Sequence, residues 1–232
     1  MNWKFIIAAF LSMIVLAIFV SLGTWQLSRL EEKVALIAKI EAKIGADPVD
    51  LPKSPDAEQD KYLPVFVSGS FDENGVFILA STRDFGAGHR VVSAFVMPEG
   101  RRILVDRGFV PVQSGRPDLE ASVPMTLTGN VHWPDERDSY TPEDDIAGNI
   151  WFARDVDKLA RHLNTEPILI VARDQTDPAI KPMPVTSSGI PNRHLEYVGT
   201  WFLLAITWSV MTGFALWRMK RRRSQSGPHA DA

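Results

Sequence analysis

Two long apolar runs, one near each end of the chain, constrain its fold more than any other feature. The first covers residues 5–22 and contains only two polar side chains, both serines. The second covers residues 198–217, and its few hydroxyl groups can bond to their own helix backbone. At about 1.5 Å per residue, such helices measure ~27 Å and ~30 Å, close to the hydrocarbon thickness of a bilayer. The sequence therefore predicts a membrane protein with transmembrane helices over residues 5–22 and 197–217.

The first apolar run has a second interpretation, a signal peptide that is cleaved. Lys4 supplies a positive start and Gly23 is small enough for a cleavage site. The run is longer than the apolar region of a signal peptide, which is typically ~7–15 residues. An amphipathic pattern also continues directly from it, with apolar residues near helical spacing and charges between them. We therefore expect a retained helix, followed by an amphipathic helix over residues 27–44 that ends at Gly45.

The charges that flank the two runs predict the orientation of the chain. Positive charge that follows a transmembrane helix stays in the cytoplasm, so the tail over residues 218–232 and the short N-terminus over residues 1–4 are expected there. Residues 23–196 are then expected in the periplasm of a bacterium, because no long Arg- and Ser-rich presequence precedes the first run and this favours the bacterial inner membrane. The basic cluster comprises Arg218, Lys220, Arg221, Arg222 and Arg223.

The segment between the two runs has the size of one domain, roughly 170 residues. Stretches rich in β-branched and aromatic residues predict strands over residues 63–71, 76–81, 90–97, 103–112, 125–133 and 167–173. Turn signals separate them at residues 72–75, 86–88 and 98–100. A short helix is predicted over residues 156–163, with Asp155 as its N-cap. The predicted fold class is two transmembrane helices that flank one extracytoplasmic α+β domain with a mainly antiparallel sheet or open barrel.

Composition and motifs exclude several classes of function. The chain has no cysteine, which excludes disulfides, iron–sulfur clusters and cysteine nucleophiles. A net charge of −3 supplies no basic field for nucleic acid. Nucleophile-elbow, zinc-protease and phosphate-loop motifs are absent. We therefore expect neither a nucleic-acid partner nor an enzyme, and an enzyme whose groups converge only in the folded chain is the weakest alternative.

One histidine, His194, stands apart because it lies just before the second apolar run, at the expected outer surface of the bilayer. Trp25 and Gln26 follow the first run at the same height. An imidazole beside apolar rings in this place has the chemistry of an axial ligand for haem iron. The alternative is an ordinary aromatic belt at the membrane surface, which needs no ligand. At helical offsets of 0, 3, 7 and 14, one stripe holds His194, Tyr197, Trp201 and Trp208.

Five stretches of sequence, in order along nearly the whole chain, carry a resemblance to a known family. They read LGTWQLSRLEEK, VSGSF, ILVDRGFVP, NIWFARD and PNRHLEYVGTWF, and they begin at residues 22, 67, 103, 149 and 191. Together with two terminal apolar runs around one domain, they resemble the surfeit locus protein 1 family, the cytochrome c oxidase assembly factors. The resemblance implies a role in building haem–copper oxidase, in particular in handling haem A for its catalytic subunit.

The resemblance also implies which residues meet the cofactor. The family's histidine in the pattern N-x-H-L-x-Y-x-x-T-W is associated with haem binding, and His194 occupies that position as the expected ligand of haem iron. The G-x-W-Q motif adds the residues that follow the first run. The candidate cofactor-binding residues are His194, Tyr197, Trp201, Trp25 and Gln26.

The expected partners follow from the same resemblance. They are the catalytic subunit of cytochrome c oxidase, membrane lipid and, as a further possibility, the machinery that makes haem A. The alternative function is a scaffold without a cofactor, which stabilises the immature oxidase subunit. Three further residues that match the family, Asp106, Arg107 and Gly108, are interpreted as structural: Gly108 permits a β-bulge and Arg107 pairs with a carboxylate.

Overall fold

The computed structural model describes residues 3–224, so the outermost parts of the two predicted cytoplasmic ends, residues 1–2 and 225–232, lie outside the described residues. The chain divides into two compact units. Of the described residues, the helical unit contains residues 3–38 and 188–224, and the sheet unit contains residues 39–187. The helices are α1 Trp3–Ile44, α2 Val156–Leu163 and α3 His194–Ser224. The strands are β1 Val49–Asp50, β2 Pro64–Thr82, β3 Gly86–Val96, β4 Arg102–Pro111, β5 Met125–Val131, β6 Ile150–Trp151 and β7 Leu169–Ala172.

The helical unit consists of two apolar helices, each long and apolar enough to cross a membrane. The predicted helices over residues 5–22 and 27–44 both lie within the continuous helix α1, and the predicted span over residues 197–217 lies within α3. The two helices pack antiparallel, because residues early in α1 contact residues late in α3. Ser12 Oγ donates to Thr212 Oγ1 at 2.9 Å, and Trp208 Nε1 donates to the Ser12 carbonyl oxygen at 3.1 Å.

These contacts favour a retained first helix over a cleaved signal peptide. Inside a bilayer no water is present to bond a polar group, so each hydroxyl and indole N–H needs a protein partner. The first apolar run supplies those partners through Ser12, for both Thr212 and Trp208. If the residues before Gly23 were cleaved off, Thr212 and Trp208 of α3 would both lose these hydrogen-bond partners.

The sheet unit contains one seven-stranded sheet whose longest pairings are antiparallel. Its hydrogen-bonded order is β1-β2-β3-β4-β7-β5, and β5 also pairs with β2. The long strand β2 pairs with β5 through its first half, residues 64–69, and with β3 through its second half, residues 70–82. The mainly antiparallel sheet is confirmed, but the sheet is not a clear barrel.

Two predicted turns differ from the structure. No turn breaks the chain at residues 72–75; instead residues 72–74 form a bulge opposite one residue of β3, and the two predicted strands join into β2. The bulge is held in the sheet by Asp72, which accepts a hydrogen bond from Arg102 at 2.8 Å. The second turn lies at residues 83–85 rather than 86–88, and β3 begins at Gly86. The turn at residues 98–100 is confirmed.

The two largest apolar clusters of the sheet unit pack against its sheet. One contains Phe71 and Phe95, whose ring centroids lie 5.0 Å apart in an edge-to-face arrangement. The other forms under α2, which buries Leu159 and its apolar neighbours against the sheet. The predicted N-cap of α2 is confirmed, since the Asp155 carboxylate accepts the Lys158 backbone N–H at 3.1 Å. The short strands β1 and β6 were not predicted, because two residues carry no periodic pattern.

The structural interpretation of Asp106, Arg107 and Gly108 is confirmed. The register of β3 with β4 shifts at this point, and Gly108 has a φ of +124°, which an L side chain rarely adopts. Arg107 lies 3.5 Å from the Asp177 carboxylate. Burial lowers the pKa of the Arg107 guanidinium and the Asp177 charge opposes that shift. Asp106 is fully buried, and it accepts the Gly108 backbone N–H at 3.2 Å.

Asp106 is the centre of a buried ion network that sequence reasoning missed. Arg90 and Arg154 approach one of its carboxylate oxygens at 2.7 and 3.0 Å, with side chains only 12% and 13% exposed. Arg154 also pairs with Glu136. Burial alone would lower the pKa of Arg154, but the hydrogen bonds to Glu136 and the charge of Asp106 outweigh it and raise that pKa above its ordinary value.

Candidate functional site

The candidate site lies in the helical unit, where the first residue of α3 contacts α1. His194 Nδ1 lies 2.7 Å from Gln26 Oε1, so the imidazole and the amide form a hydrogen bond between the two helices. His194 is half-buried, and Gln26 is only 9% exposed. The structure thus brings together two of the five predicted site residues, from positions 168 residues apart in the chain.

The spacing of the packed residues explains why the two side chains meet. All but one of the buried and half-buried positions of α3 recur at intervals of four and three residues, which keeps one face of a helix against a partner helix. On α1, Gly23 lies one turn before Gln26 and lets the Phe202 ring approach closely; a Cβ there would lie 3.0 Å from that ring. The positions with this spacing are His194, Val198, Trp201, Ala205, Trp208, Thr212 and Leu216, and Phe202 is half-buried beside Trp201.

The predicted stripe holds for three of its four members. Trp201 and Trp208 lie on the packed face of α3 together with His194, whereas Tyr197 is 52% exposed. The reason is that Val198, at an offset of four residues rather than three, occupies the packed position. Tyr197 therefore lies at the border of the helix pair.

Trp25 also lies outside the packed face. It is 51% exposed, and the Arg29 guanidinium lies 5.8 Å from the centre of its ring. Successive residues on a helix differ by about 100° in direction, so Gln26 turns toward α3 while Trp25 turns away. Of the two proposed residues that follow the first apolar run, only Gln26 contacts His194.

Aromatic rings continue from the His194 site along the packed face. The Phe19 ring lies 6.1 Å from the Trp201 ring and 6.4 Å from the Trp208 ring. The Trp201 Nε1 atom is buried and has no hydrogen-bond acceptor among the described residues, whereas Trp208 Nε1 is bonded. Sequence reasoning missed Phe19, because within a uniformly apolar run no signal separates the packed face from the lipid face.

The site offers one metal ligand rather than a set. Among residues 3–224, no group of three or more His, Asp or Glu side chains is placed to hold a metal ion. A bare metal ion in a protein is held by several such groups. A haem iron is different, because the porphyrin supplies its equatorial ligands and the protein supplies only the axial ones. A single histidine at the end of an aromatic helix pair is therefore compatible with haem and unsuited to a free ion.

Comparison with known proteins agrees with the motif resemblance. The model of the SURF1 family matches residues 13–206, a range that contains both Gln26 and His194. Surfeit locus protein 1 of Rattus norvegicus is 32% identical over 212 residues, which cover 82% of this chain and 69% of the relative. The protein of the same name from Homo sapiens is 33% identical over 89% of this chain and 75% of its own length. A SURF1-like protein of Monosiga brevicollis is 32% identical over 87% of this chain and 83% of its own length.

Proposed function

The chain belongs to the SURF1 family, and on that basis we propose that it is a membrane-anchored assembly factor for haem–copper (cytochrome c) oxidase. In this proposal it binds haem A through His194 and aids its insertion into the catalytic subunit of the oxidase. The motif resemblance supports the assembly role. The hydrogen bond that fixes His194 between two apolar helices supports the haem role, and it is the observation on which that part of the proposal rests.

The residues present fit a haem group by their chemistry. His194 would hold the group through its imidazole, and bound haem would supply an iron centre that accepts such a nitrogen. Trp201 adds a buried indole N–H that needs an acceptor, and the polar substituents at the rim of a haem carry acceptor oxygens. Exposed Trp25 and Tyr197 would contact the ligand or the lipid at the border of the helix pair.

The location supports the same function. Two helices long and apolar enough to cross a membrane, together with the family, support a membrane localisation. We propose the bacterial inner membrane with the sheet unit in the periplasm, because the basic residues that follow the second apolar run favour a cytoplasmic C-terminus. His194 then lies where lipid meets the periplasm, so that a lipophilic haem can arrive laterally through the bilayer. The machinery that makes haem A is the proposed donor.

Replacement of His194 by Ala tests the haem role. The full-length protein, purified in detergent from cells that make haem A, should show a Soret band near one haem per chain. In the His194→Ala variant we expect haem content to fall roughly tenfold or more, because loss of a group that only hydrogen-bonds to a metal ligand already costs 10–100-fold in affinity. The control is His162→Ala, which removes an exposed histidine of the sheet unit. Equal haem content in wild type and His194→Ala would contradict the proposal.

Deletion of the gene tests the assembly role. We expect the oxidase left in the membrane to have lost haem from its catalytic subunit, with a matching loss of activity, and re-expression of the wild-type chain to restore both. An oxidase with full haem content and activity after deletion would contradict the assembly role. Full restoration by the His194→Ala variant would instead identify a scaffold without a cofactor.

A further inference from the structure

We infer that Gln26 is a positioning residue that fixes the tautomer of His194, so that Nε2 is the nitrogen left free to bind iron. This inference rests on the proposed haem function and deepens it. It starts from the single hydrogen bond between His194 Nδ1 and Gln26 Oε1, at 2.7 Å.

The chemistry of the two atoms determines which one carries the proton. An amide oxygen has no hydrogen and can only accept, so His194 Nδ1 must be the donor. In a neutral imidazole one ring nitrogen donates and the other accepts. With the proton on Nδ1, the free electron pair is on Nε2. A free pair on nitrogen is what an axial iron bond requires, and a protonated nitrogen cannot form that bond.

The packing of the helix pair holds the acceptor in place. Gln26 is 9% exposed, and one turn earlier on the same face of α1 Gly23 packs against the Phe202 ring. The Ser12–Thr212 hydrogen bond ties the same two helices roughly 21 Å away, from a rise of ~1.5 Å over each of the 14 residues between Ser12 and Gln26. Because the Gly23–Phe202 contact packs this turn of α1 against α3, the amide oxygen cannot follow a rotation of the ring without breaking packed contacts.

The neutral amide also sets how strongly the ring donates electrons to a metal. A carboxylate in the same place would pull the Nδ1 proton toward itself and make Nε2 a stronger donor, as in the carboxylate–histidine–metal triads. An amide accepts the same proton without that effect. Gln26 therefore gives the ring its orientation and tautomer.

The tautomer can be measured without any haem. The full-length chain, labelled with ¹⁵N-histidine and placed in lipid nanodiscs, reports the protonation of each ring nitrogen through its chemical shift; His194→Ala assigns the signal. In the wild type we expect a protonated Nδ1 and a free Nε2. In Gln26→Leu, which removes the acceptor, we expect the population to move toward the Nε2–H form that free histidine favours. A wild-type ring protonated mainly on Nε2, or a tautomer unchanged in Gln26→Leu, would overturn the inference.

Haem binding gives the second readout. We expect Gln26→Leu to bind haem 10–100-fold more weakly than the wild type. Gln26→Glu, which keeps an acceptor at the same reach, should restore binding and move the haem reduction potential to a lower value. The matched control is Ser12→Ala, which removes another hydrogen bond between the same helices and should leave haem affinity within about twofold, because it is far from the ligand.

The outcomes separate the two proposals. If the wild type binds no haem, the proposed function fails, and the tautomer measurement alone then decides whether Gln26 positions the ring. If the wild type binds haem and His194→Ala does not, while Gln26→Leu binds as tightly as the wild type, the haem function stands and the inference is overturned. An equal loss in Gln26→Leu and Ser12→Ala would show that Gln26 only holds the helices together, which also overturns it.

Discussion

Replacing Asp106 by Ala is expected to destabilise the sheet unit by about 3–5 kcal/mol, because it leaves the nearly buried Arg90 without its carboxylate partner and Arg154 with Glu136 alone. Asp106 is 0% exposed, and one of its carboxylate oxygens is approached by both Arg90 and Arg154. Without it, two nearly buried guanidinium groups face each other. The variant also loses the hydrogen bond from the Gly108 N–H, which holds the bulge in β4.

Hydrogen exchange of β4 amides in the full chain, held in lipid nanodiscs, measures this effect where it arises. A change of 3–5 kcal/mol corresponds to exchange roughly 100-fold or more faster for amides that open only by unfolding of the unit. The matched control is Asp118→Ala, the same chemical change at an exposed position of the sheet unit, for which we expect less than about 0.5 kcal/mol. Similar exchange rates in the two variants would show that the network contributes nothing net to stability.

The helices were predictable because their signals are local and long. An apolar run of about 20 residues has few alternatives to a membrane-spanning helix, and the amphipathic pattern that follows it has the period of a helix. The cap of α2 was predictable for the same reason, since Asp155 bonds to a backbone N–H only three residues away. Each of these features depends on residues that are neighbours in the chain.

The bulge in β2 was not predictable, because a distant residue decides it. Residues 72–75 read as a turn on local propensity, yet Arg102 of β4 holds Asp72 in the sheet. The Asp106 network could not be predicted for the same reason. Arg90, Asp106 and Arg154 come from three separate segments, and a single sequence contains no record of their meeting. Tertiary partners override local propensity at such sites.

The candidate site contains one feature that the sequence predicts and one that only the folded structure determines. His194 could be singled out because it lies beside an apolar run, and motif resemblance added Gln26 and Trp25. Which of these two contacts the imidazole depends on how α1 is rotated against α3, and that rotation follows from the close contact of Gly23 with Phe202. The sequence pattern therefore located the site to within one turn of helix. The packing of α1 against α3 determines that Gln26, and not Trp25, contacts His194.

Replacing Gly108 by Ala is expected to cost about 2–6 kcal/mol, the sum of ~1–3 kcal/mol for backbone strain and ~1–3 kcal/mol for overpacking. The strain arises because Gly108 has a φ of +124°. The overpacking arises because a Cβ at this position would lie 2.0 Å from the carbonyl oxygen of Lys181. That oxygen belongs to the backbone, and Lys181 is paired with Phe109 by hydrogen bonds of 2.8 and 2.9 Å. The obstacle therefore cannot rotate away as a side chain would.

Gly100→Ala separates the two costs within the same sheet unit. Gly100 also has a positive φ, +84°, but a Cβ there would meet nothing within 4 Å. We expect this control to lose only the free energy of the backbone strain, ~1–3 kcal/mol. The β4 amides should therefore exchange faster in Gly108→Ala than in Gly100→Ala, by the factor that corresponds to the free energy of overpacking. If both variants lost the same free energy of unfolding, the Lys181 segment would have moved aside at no cost. The bulge would then require glycine only because of its positive φ.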